Sequence, residues 1–540
     1  MSGLHSSRIS CRHSLLLRII GLRRVYTERV VYRSYGIYIT QTMFTELLQV
    51  GISLFLLLLV GRWIFQIVYN LFFHPLSKIP GPWFAAISDI PYCWWLLGGR
   101  HPYKVLELHN KYGHAVRLAP NEVSFNTSQS WKDIYGHRAG HQVFVKGTFY
   151  QGGSFSLGGI TSIISERRPE VHKEMRNLLA SSFSERAVGE QEKIVAASVD
   201  KLVRLVGVRG SGVNGIDLTP LFQSMTFDIT GNLAFGESFG ALDNDVQHPW
   251  ISTATGALQL APLIDAFNHY PTIARFFAVL MHREFKKALS DVKANEDFSY
   301  EAVQRRRARE TDRKDFLTRI LQERDEKLAS DRQIAAHASD LVIAGSDTAA
   351  TALAAIIYFL LQNPYTLEKL TAEVRGSFKR YSDITYSSTT PLQYLHAIIL
   401  EGMRIYPPVP FALPRIVPEG GDIVDGCFLP GGATVYTNPV ATCLSSTNFQ
   451  DPWSFKPERW IEPSNDIGDS SQPFSLGPRT CLGRALAWLE LQTTLAKLIW
   501  VYDLQLVDPN LDWHGESRMI SLWKKPALMI RATNRGVEIE

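Results

Sequence analysis

Apolar side chains along the chain recur mostly at helical spacing, and only a few short stretches alternate as strands do. One-sided apolar patterns with a period near 3.6 residues predict amphipathic helices over most of the chain after residue 80. Strand-like pieces occur at residues 115–118, at residues 122–125 and near the C-terminus. The pattern predicts a mainly α fold with small β-sheets, of the α+β class, without an internal linker.

A continuous apolar segment, residues 47–73, precedes this region. It is long enough to cross a hydrocarbon core of ~30 Å, which needs about 20 helical residues. Arg62 interrupts it, so we expect the guanidinium to reach an interface, with Trp63 and Tyr69 as aromatic anchors. A buried core helix is the alternative, although core helices rarely carry so many consecutive large aliphatics. The segment predicts one transmembrane anchor, followed by a globular domain over residues 78–540.

Charge is distributed unevenly between the start of the chain and the rest. The net charge is +4, but residues 1–42 hold seven arginines and one acid, Glu28, which leaves −2 for the remainder. A nearly neutral remainder predicts no nucleic-acid partner. The Arg-rich extension resembles a mitochondrial-type leader, or it is not translated and the chain starts at Met43. By the positive-inside rule the shorter start places the domain in the cytosol, whereas the extension favours the opposite orientation.

Three further patterns exclude other classes of site. Residues 210–215 match G-x-G-x-x-G, yet they follow a helical pattern and precede an extended one, which does not build a dinucleotide site. The basic run over residues 305–314 is interleaved with acids, which favours a solvated helix face over an RNA or lipid patch. The five cysteines are too scattered for a disulfide framework or a structural zinc site.

The most specific motif lies in the segment FSLGPRTCLGRALAWLELQ. A glycine–proline turn precedes Cys481, and helical spacing follows it, so Cys481 lies where a loop enters a helix. Backbone donors and the helix dipole favour a thiolate there, although a cysteine in this position is often only a small buried side chain. The motif F-x-x-G-x-R-x-C-x-G resembles the haem-binding loop of the cytochrome P-450 superfamily, and its fixed positions are Phe474, Gly477, Arg479, Cys481 and Gly483.

The resemblance implies haem b (iron protoporphyrin IX) as the cofactor, with Cys481 as the axial thiolate and the metal ligand. It also implies that Phe474 packs beside the sulfur and that Arg479 binds a haem propionate. A thiolate ligand raises electron density at the iron and favours splitting of the O–O bond.

Weaker matches extend the predicted set of propionate partners. His172 and Arg176 lie four residues apart in VHKEMR, and Arg415 lies in LPR. In the superfamily the corresponding positions supply donors to the propionates. A solvated helix face is the alternative for His172.

A long apolar helix is predicted from a capping box at residues 330–333 to a stop at residues 363–364. It contains AGSDT, residues 344–348, which is similar to the oxygen-activating A-G-x-D-T of the superfamily. The resemblance implies that Thr348 holds water and hydrogen-bonds the oxygen under activation, while Asp347 relays protons from solvent. The alternative is that Thr348 bonds its own i−4 carbonyl and Asp347 forms an ion pair.

Glu401 and Arg404 in LEGMR match the E-x-x-R motif of the superfamily and share a helix face. With Arg459 in FKPERW, the resemblance implies a buried network of three members. Its role would be to stabilise the core around the haem loop rather than to catalyse.

The resemblance covers roughly residues 78–540 and implies a P-450 fold behind one N-terminal transmembrane helix. It implies a haem-thiolate monooxygenase that inserts one oxygen atom from O2 into a hydrophobic small molecule. Electrons would come from a separate NADPH-cytochrome P-450 reductase. The protein would be a single-pass membrane protein of the endoplasmic reticulum with a cytosolic catalytic domain.

The sequence looks most like fungal secondary-metabolism enzymes that oxidise terpenoid or polyketide intermediates, with trichothecene-pathway hydroxylases as the nearest comparison. The alternatives are a haem-thiolate isomerase or dehydratase and a non-catalytic haem-binding protein. A mainly apolar substrate pocket is expected. The aromatic and aliphatic residues expected in its walls are Phe144, Phe149, Tyr150, Phe155, Phe411, Leu413 and Leu522.

Overall fold

The structure is a computed structural model that describes residues 41–150, 159–243, 250, 261–280, 282–309, 313, 315–323 and 329–539. The predicted extension over residues 1–42 lies almost wholly outside these ranges, and so does Phe155 of the expected pocket. The chain divides into two compact units, Met1–Phe73 and His74–Glu540.

The described part of the first unit is a helix, Gln41–Val68 (α1), that ends in a π-helical turn, Tyr69–Phe73. Its large apolar side chains are exposed; Leu58 is 72% accessible and Phe65 is 68% accessible. This exposure contradicts the alternative of a buried core helix. The segment Leu47–Phe73 is long and apolar enough to cross a membrane, as the sequence predicts.

The second unit is mainly helical, in agreement with the predicted fold class. Its described α-helices are Trp83–Ile87 (α2), Ile90–Leu97 (α3), His101–Tyr112 (α4), Ser128–Tyr135 (α5), Pro169–Ala180 (α6), Glu185–Glu190 (α7), Glu192–Gly210 (α8), Leu218–Phe235 (α9), Ala261–His269 (α10), Pro271–Leu280 (α11), His282–Arg307 (α12), Phe316–Glu323 (α13), Asp331–Leu361 (α14), Pro364–Ser377 (α15), Tyr386–Thr389 (α16), Gln393–Ile405 (α17), Pro439–Cys443 (α18), Arg484–Val501 (α19) and Trp513–Glu516 (α20).

Short 3-10 helices connect several of these elements. They span Thr148–Tyr150, Ser181–Phe183, Tyr381–Asp383, Pro457–Trp460, Gly468–Ser470 and Gly477–Arg479.

The described strands form four small sheets. They are Ala115–Ala119 (β1), Glu122–Phe125 (β2), Val145–Lys146 (β3), Ile216–Asp217 (β4), Arg415–Ile416 (β5), Asp422–Val424 (β6), Cys427–Leu429 (β7), Thr434–Thr437 (β8), Tyr502–Leu506 (β9), Arg518–Ile520 (β10), Leu522–Lys524 (β11) and Met529–Asn534 (β12).

The largest sheet has the order β1-β2-β8-β5-β3 and is antiparallel except for the β2–β8 pair. An antiparallel sheet β4-β12-β9 and the hairpins β6-β7 and β10-β11 complete the strands. The strand pieces predicted near residues 115 and 122 are therefore confirmed as β1 and β2.

Helix α14 lies at the centre of the core, packed against α9, α17 and α19. It is apolar enough to cross a membrane, but 72% of its most apolar window is buried, so it is a core helix. Ser330 caps it by accepting a hydrogen bond from the Gln333 N–H at 3.2 Å. Among the described residues, only this half of the predicted capping box is observed, and the Gln333 side-chain nitrogen donates to the Thr161 carbonyl at 3.2 Å.

The basic run after residue 304 is a structural feature of α12 rather than only a solvated face. Arg306 is buried and donates to the Asp315 carboxylate at 3.0 Å. Its neighbours pair with acids elsewhere, as Arg305 does with Glu237. The expectation of a solvated face is wrong for Arg306. Its acidic partner, Asp315, lies nine residues further along the chain and outside α12.

Candidate functional site

A cavity of about 850 Å³ lies against the middle of α14 and the loop that precedes α19. The residues that the motifs singled out converge on it from four separate parts of the chain. Those that line it are His172, Arg176, Thr348, Arg415, Phe474, Arg479 and Cys481. Asp347, the remaining predicted site residue, is not among the lining residues.

The loop that carries Cys481 is fixed by its backbone. Gly477 has φ +68°, and a Cβ on it would lie 2.1 Å from the Tyr135 carbonyl oxygen, so only glycine fits. The Cys481 N–H donates to the Phe474 carbonyl at 2.8 Å, which closes the loop between two motif positions. Helix α19 begins three residues later at Arg484, as the sequence predicts.

The Cys481 side chain lines the cavity and is accessible from it. Desolvation by the surrounding protein raises the pKa of the Cys481 thiol, whereas a backbone hydrogen bond at Gly483 and the charges of Arg176 and Arg484 act in the opposite direction. The thiol is therefore the form favoured by the protein alone. A metal ion that takes the thiolate displaces this proton, so binding is coupled to deprotonation.

Basic side chains gather around one end of the cavity. Arg479 donates to the carbonyl oxygens of Glu166 and Arg167 at 2.8 and 3.0 Å, and Arg176 donates to the Thr480 carbonyl at 2.8 Å. Arg415 donates to the Pro414 carbonyl at 3.1 Å. These guanidinium groups are thus held by neutral backbone oxygens.

Lys146 on β3 joins this group, although no sequence motif indicates it. Its ammonium donates to the carbonyl oxygens of Ile163 and Ile164 at 3.2 and 2.5 Å. Burial lowers the pKa of Lys146 to about 6, and the positive charges of Arg479 and Arg415 contribute to the shift.

Burial and neighbouring positive charges also lower the pKa values of His172 and Arg479. Burial and the neighbouring cations lower the pKa of His172 to about 3, so its imidazole is neutral. Burial and Arg415 lower the pKa of Arg479 to about 10. Burial is the larger cause of these shifts and the neighbouring positive charges add to it, so an anion bound here would favour the charged forms. A thiol in the cavity and a basic cluster at its end fit haem b, whose iron takes a thiolate and whose propionates are anionic.

Helix α14 supplies the second part of the site. A Cβ on Gly345 would lie 2.5 Å from the Thr230 side chain, so this glycine permits the close packing of α9 on α14. The Thr348 hydroxyl lines the cavity and donates to the Ala344 carbonyl at 2.7 Å. This is the i−4 bond that the alternative interpretation of the motif expects.

The Asp347 carboxylate is held by a residue that the motifs do not indicate. Lys525, after β11, donates to Asp347 Oδ1 at 2.9 Å and to Thr351 Oγ1 at 2.7 Å. In this arrangement the acid and the alcohol bond other groups rather than each other. Lys525 has no sequence signal because it approaches α14 from the C-terminal end of the chain.

The predicted network around Glu401 is present and is wholly buried. Arg404 donates to both carboxylate oxygens at 2.8 Å, and Arg459 Nε donates to Oε1 at 3.1 Å. The Trp460 indole and the Lys456 backbone N–H complete the shell at 3.0 and 2.8 Å. None of these residues lines the cavity, in agreement with a structural role.

The cavity walls are mainly apolar. Of the residues predicted for them, the described ones that line the cavity are Phe149, Tyr150, Phe411, Leu413 and Leu522. Phe144 does not contribute, because it is buried in a separate core cluster with Trp131 and Val435.

The comparisons with known proteins agree with this geometry. The cytochrome P-450 family model matches residues 85–530. A cytochrome P-450 monooxygenase of Penicillium roqueforti is 48% identical over 81% of this chain and 91% of its own. One of Cochliobolus sativus is 40% identical over 88% of this chain and 95% of its own.

A third relative is the trichothecene C-15 hydroxylase of Fusarium sporotrichioides, which is 38% identical over 86% of this chain and 94% of its own. These matches extend over most of each relative, well beyond the cysteine loop. The predicted family, the fold and the monooxygenase class are therefore confirmed, and the chain belongs to the cytochrome P-450 family of monooxygenases.

Proposed function

We propose that this enzyme binds haem b through Cys481 and inserts one oxygen atom of O2 into a hydrophobic terpenoid or polyketide intermediate. The observation that carries the proposal is the single cavity in which the Cys481 thiol, the basic cluster and the Thr348 hydroxyl meet apolar walls. When bound, haem b supplies the activation of O2. The chain's own residues supply positioning, exclusion of water and proton transfer.

The basic cluster orients the cofactor in the proposal. Arg176, Arg415, Arg479 and Lys146 present N–H donors at the cavity end, where the anionic propionates would lie. Neutral His172 adds a donor without adding repulsion. Anionic partners would raise the pKa values of Lys146 and Arg479, which burial and neighbouring positive charges lower.

Proton supply falls to α14. The Thr348 hydroxyl can turn from the Ala344 carbonyl toward the cavity, where it would hold a water molecule. The Asp347 carboxylate would relay protons only after leaving the Lys525 ammonium. The observed contacts are thus the resting arrangement of the relay, and Lys525 is a positioning residue.

The substrate class rests on the apolar walls and on the relatives. A cavity of this size lined mainly by hydrocarbon suits a compact apolar molecule. One relative is named a trichothecene C-15 hydroxylase, which supports an oxidised terpenoid here. The electrons would come from a separate NADPH-cytochrome P-450 reductase.

We place the enzyme at the endoplasmic reticulum membrane, with α1 spanning it and the second unit in the cytosol. The second unit carries exposed apolar side chains of its own on α2 and α3, including Trp83, Ile90 and Trp94. Aromatic residues of this kind favour the membrane interface.

A carbon monoxide spectrum of the reduced protein tests the haem-thiolate site. We expect the thiolate-type Soret band in the full chain and its loss in Cys481→Ser. Cys427→Ser is the matched control, because Cys427 lies on β7 away from the cavity lining and should keep the band. A full chain that loads haem without this band would contradict the proposal.

Thr348→Ala tests oxygen activation. The substrate would first be identified by metabolite profiling of a deletion strain. With this substrate, Thr348→Ala should form roughly tenfold less product per NADPH consumed, and more peroxide. The control is Thr371→Ala, since Thr371 makes the same i−4 bond on α15 outside the cavity. Unchanged product coupling in Thr348→Ala would favour an isomerase or dehydratase.

A further inference from the structure

A second, smaller cavity of about 70 Å³ lies between the paired strands β2 and β8 of the large sheet and helices α3, α4 and α10. Polar side chains from all five elements face it. They are Tyr92, His101, Glu122, Asp265, His269, Thr434 and Tyr436. Neither the haem-binding loop nor the oxygen-activating segment of α14 contributes to it.

Several of these polar groups are buried without a partner among the described residues. They are both ring nitrogens of His101, Oε2 of Glu122 and the hydroxyl of Tyr436. The three side chains are 3%, 6% and 2% exposed. Buried polar atoms are nearly always hydrogen-bonded in native proteins, so four of them around one cavity indicate a polar occupant.

The neighbouring polar groups are already satisfied. Asp265 accepts from the Tyr92 hydroxyl at 3.0 Å, and His269 Nδ1 lies 3.1 Å from the Asp89 carboxylate. The atoms without a partner therefore do not take part in the hydrogen bonds that these neighbouring groups form. They point to an occupant that both donates and accepts hydrogen bonds.

The small cavity adjoins the large one. Phe149 and Phe411 line both of them, with ring centroids 5.5 Å apart. Each ring is only partly buried. The two cavities therefore share a wall at these two aromatic side chains, and displacement of the rings would connect them.

We propose that the small cavity is a substrate subsite that hydrogen-bonds a neutral oxygen function, a hydroxyl or a carbonyl, at the end of the molecule remote from the oxidised carbon. This rests on the proposed function, and it narrows the substrate to one that already carries an oxygen. A reaction that precedes this one must therefore supply the oxygen function. It would either oxygenate the apolar precursor or cyclise a precursor while keeping an oxygen that it already carries.

The chemistry of the lining favours a neutral group over an ion. Burial raises the pKa of Glu122 to about 8, so its carboxyl is mainly protonated at neutral pH and can donate. Burial lowers the pKa of His101 to about 4, so its imidazole offers one donor and one acceptor. His269 also lines the cavity, and Asp89, Glu122 and Asp265 raise its pKa to about 9 against the opposing effect of burial, so the imidazole is charged and already pairs with Asp89. A carboxylate ligand would therefore find this cation already paired and would lie beside the Asp265 carboxylate, which disfavours it.

Iron-anchored probes test the subsite without knowledge of the substrate. We would titrate haem-loaded enzyme with 1-alkylimidazoles of increasing chain length that end in a methyl, a hydroxyl or a carboxylate. The imidazole shifts the Soret band on binding, and the chain extends into the cavities. At the chain length that reaches the subsite, the hydroxyl probe should bind about five- to tenfold more tightly than the methyl probe.

Variants assign the effect to the small cavity. Tyr436→Phe and Glu122→Met each remove an unpartnered polar group with little change of volume, and each should reduce the hydroxyl preference at least threefold. Tyr502→Phe is the matched control, because that buried hydroxyl donates to the Val203 carbonyl outside both cavities. It should leave the preference unchanged.

The outcomes separate the two proposals. Absence of any imidazole-induced Soret shift would overturn the proposed haem function. A normal shift with no hydroxyl preference at any chain length would overturn the subsite alone and leave the cavity as a hydration site. A carboxylate probe that binds more tightly than the hydroxyl probe would also overturn it, because the cavity would then select an anion.

Discussion

Two buried carboxylates, Glu401 and Glu122, lie in the same unit and have opposite surroundings. Glu401 receives hydrogen bonds from two arginines, an indole and a backbone N–H. Glu122 has an oxygen without a partner among the described residues, and two neighbours in the same condition. The first carboxylate is fully compensated where it is buried, and the second is not.

The difference separates a structural role from a binding role. A satisfied buried network fixes the elements that it joins, and removal of one member leaves an unpaired charge. An unsatisfied buried group costs about 1–3 kcal/mol, so the folded protein is less stable than it would be with an apolar residue there. Such a residue is expected where a ligand completes its hydrogen bonds.

Glu401→Ala should have the largest effect, because it leaves Arg404 buried without its carboxylate. We expect a loss of about 3–5 kcal/mol in the free energy of unfolding and little haem incorporation. Denaturant unfolding and haem content measure both. The control is Glu107→Ala, which breaks an exposed i,i+3 pair with Lys104 and should cost less than ~1 kcal/mol. Normal haem content in Glu401→Ala would contradict the structural role.

Lys525→Met tests a case between Glu401 and Glu122, since the Lys525–Asp347 ion pair is largely buried and Asp347 lies on α14. The Lys525 and Asp347 side chains are 6% and 14% exposed. We expect a loss of about 1–3 kcal/mol, because the Asp347 carboxylate loses its counter-ion. In a double-mutant cycle with Asp347→Asn, the loss of unfolding free energy in the double mutant should be about 1 kcal/mol smaller than the sum of the two single-mutant losses. Strict additivity would show that the pair does not constrain Asp347.

Glu122→Met should have the opposite sign, a gain in the free energy of unfolding at neutral pH, because it removes a buried polar group that has no partner among the described residues. The pKa of Glu122 is raised from 4.5 to about 8, so the folded protein binds its proton more tightly than the unfolded chain does. Stability from this group is present below pH 4.5 and is lost as pH rises toward 8. The gain in Glu122→Met should therefore grow between pH 5 and pH 8.

Thermal unfolding across that range checks this prediction. His101, whose pKa is lowered by burial, is common to both proteins and cancels in the difference. His269 does not cancel fully, because Glu122 is one of the acids that raise its pKa to about 9, so the measured difference contains both titrations. A gain that stays constant with pH would show that Glu122 is ionised throughout. A loss of stability in Glu122→Met would show that its carboxyl is satisfied after all.

Motifs predicted the parts of the site that are local in sequence. The cysteine loop, the helix Asp331–Leu361 and the Glu401–Arg404 pair each follow from a spacing within one segment. Lys146 and Lys525 did not follow, because each is a single lysine brought to the site by β-strand placement. No periodicity or spacing distinguishes them from surface lysines.

The same limit explains the other errors. Arg306 is buried and paired with Asp315, and the Gln333 side-chain nitrogen bonds the Thr161 carbonyl of another segment. In both cases a tertiary contact replaces the local partner that the sequence suggests. The small polar cavity was not predicted for this reason, since Glu122, His101 and Tyr436 come from three separate elements.

Helix α14 has a consequence for biosynthesis. It is long and apolar enough to cross a membrane, yet it must become a core helix. Its packing partner α9 is already made when α14 emerges, whereas Cys481 follows about 120 residues later. At ~5–20 residues per second, translation leaves α14 for roughly 6–24 seconds without the haem-binding loop. Early docking on α9, at the close approach that Gly345 permits because it has no Cβ, would keep this helix out of the lipid while the ribosome completes the site.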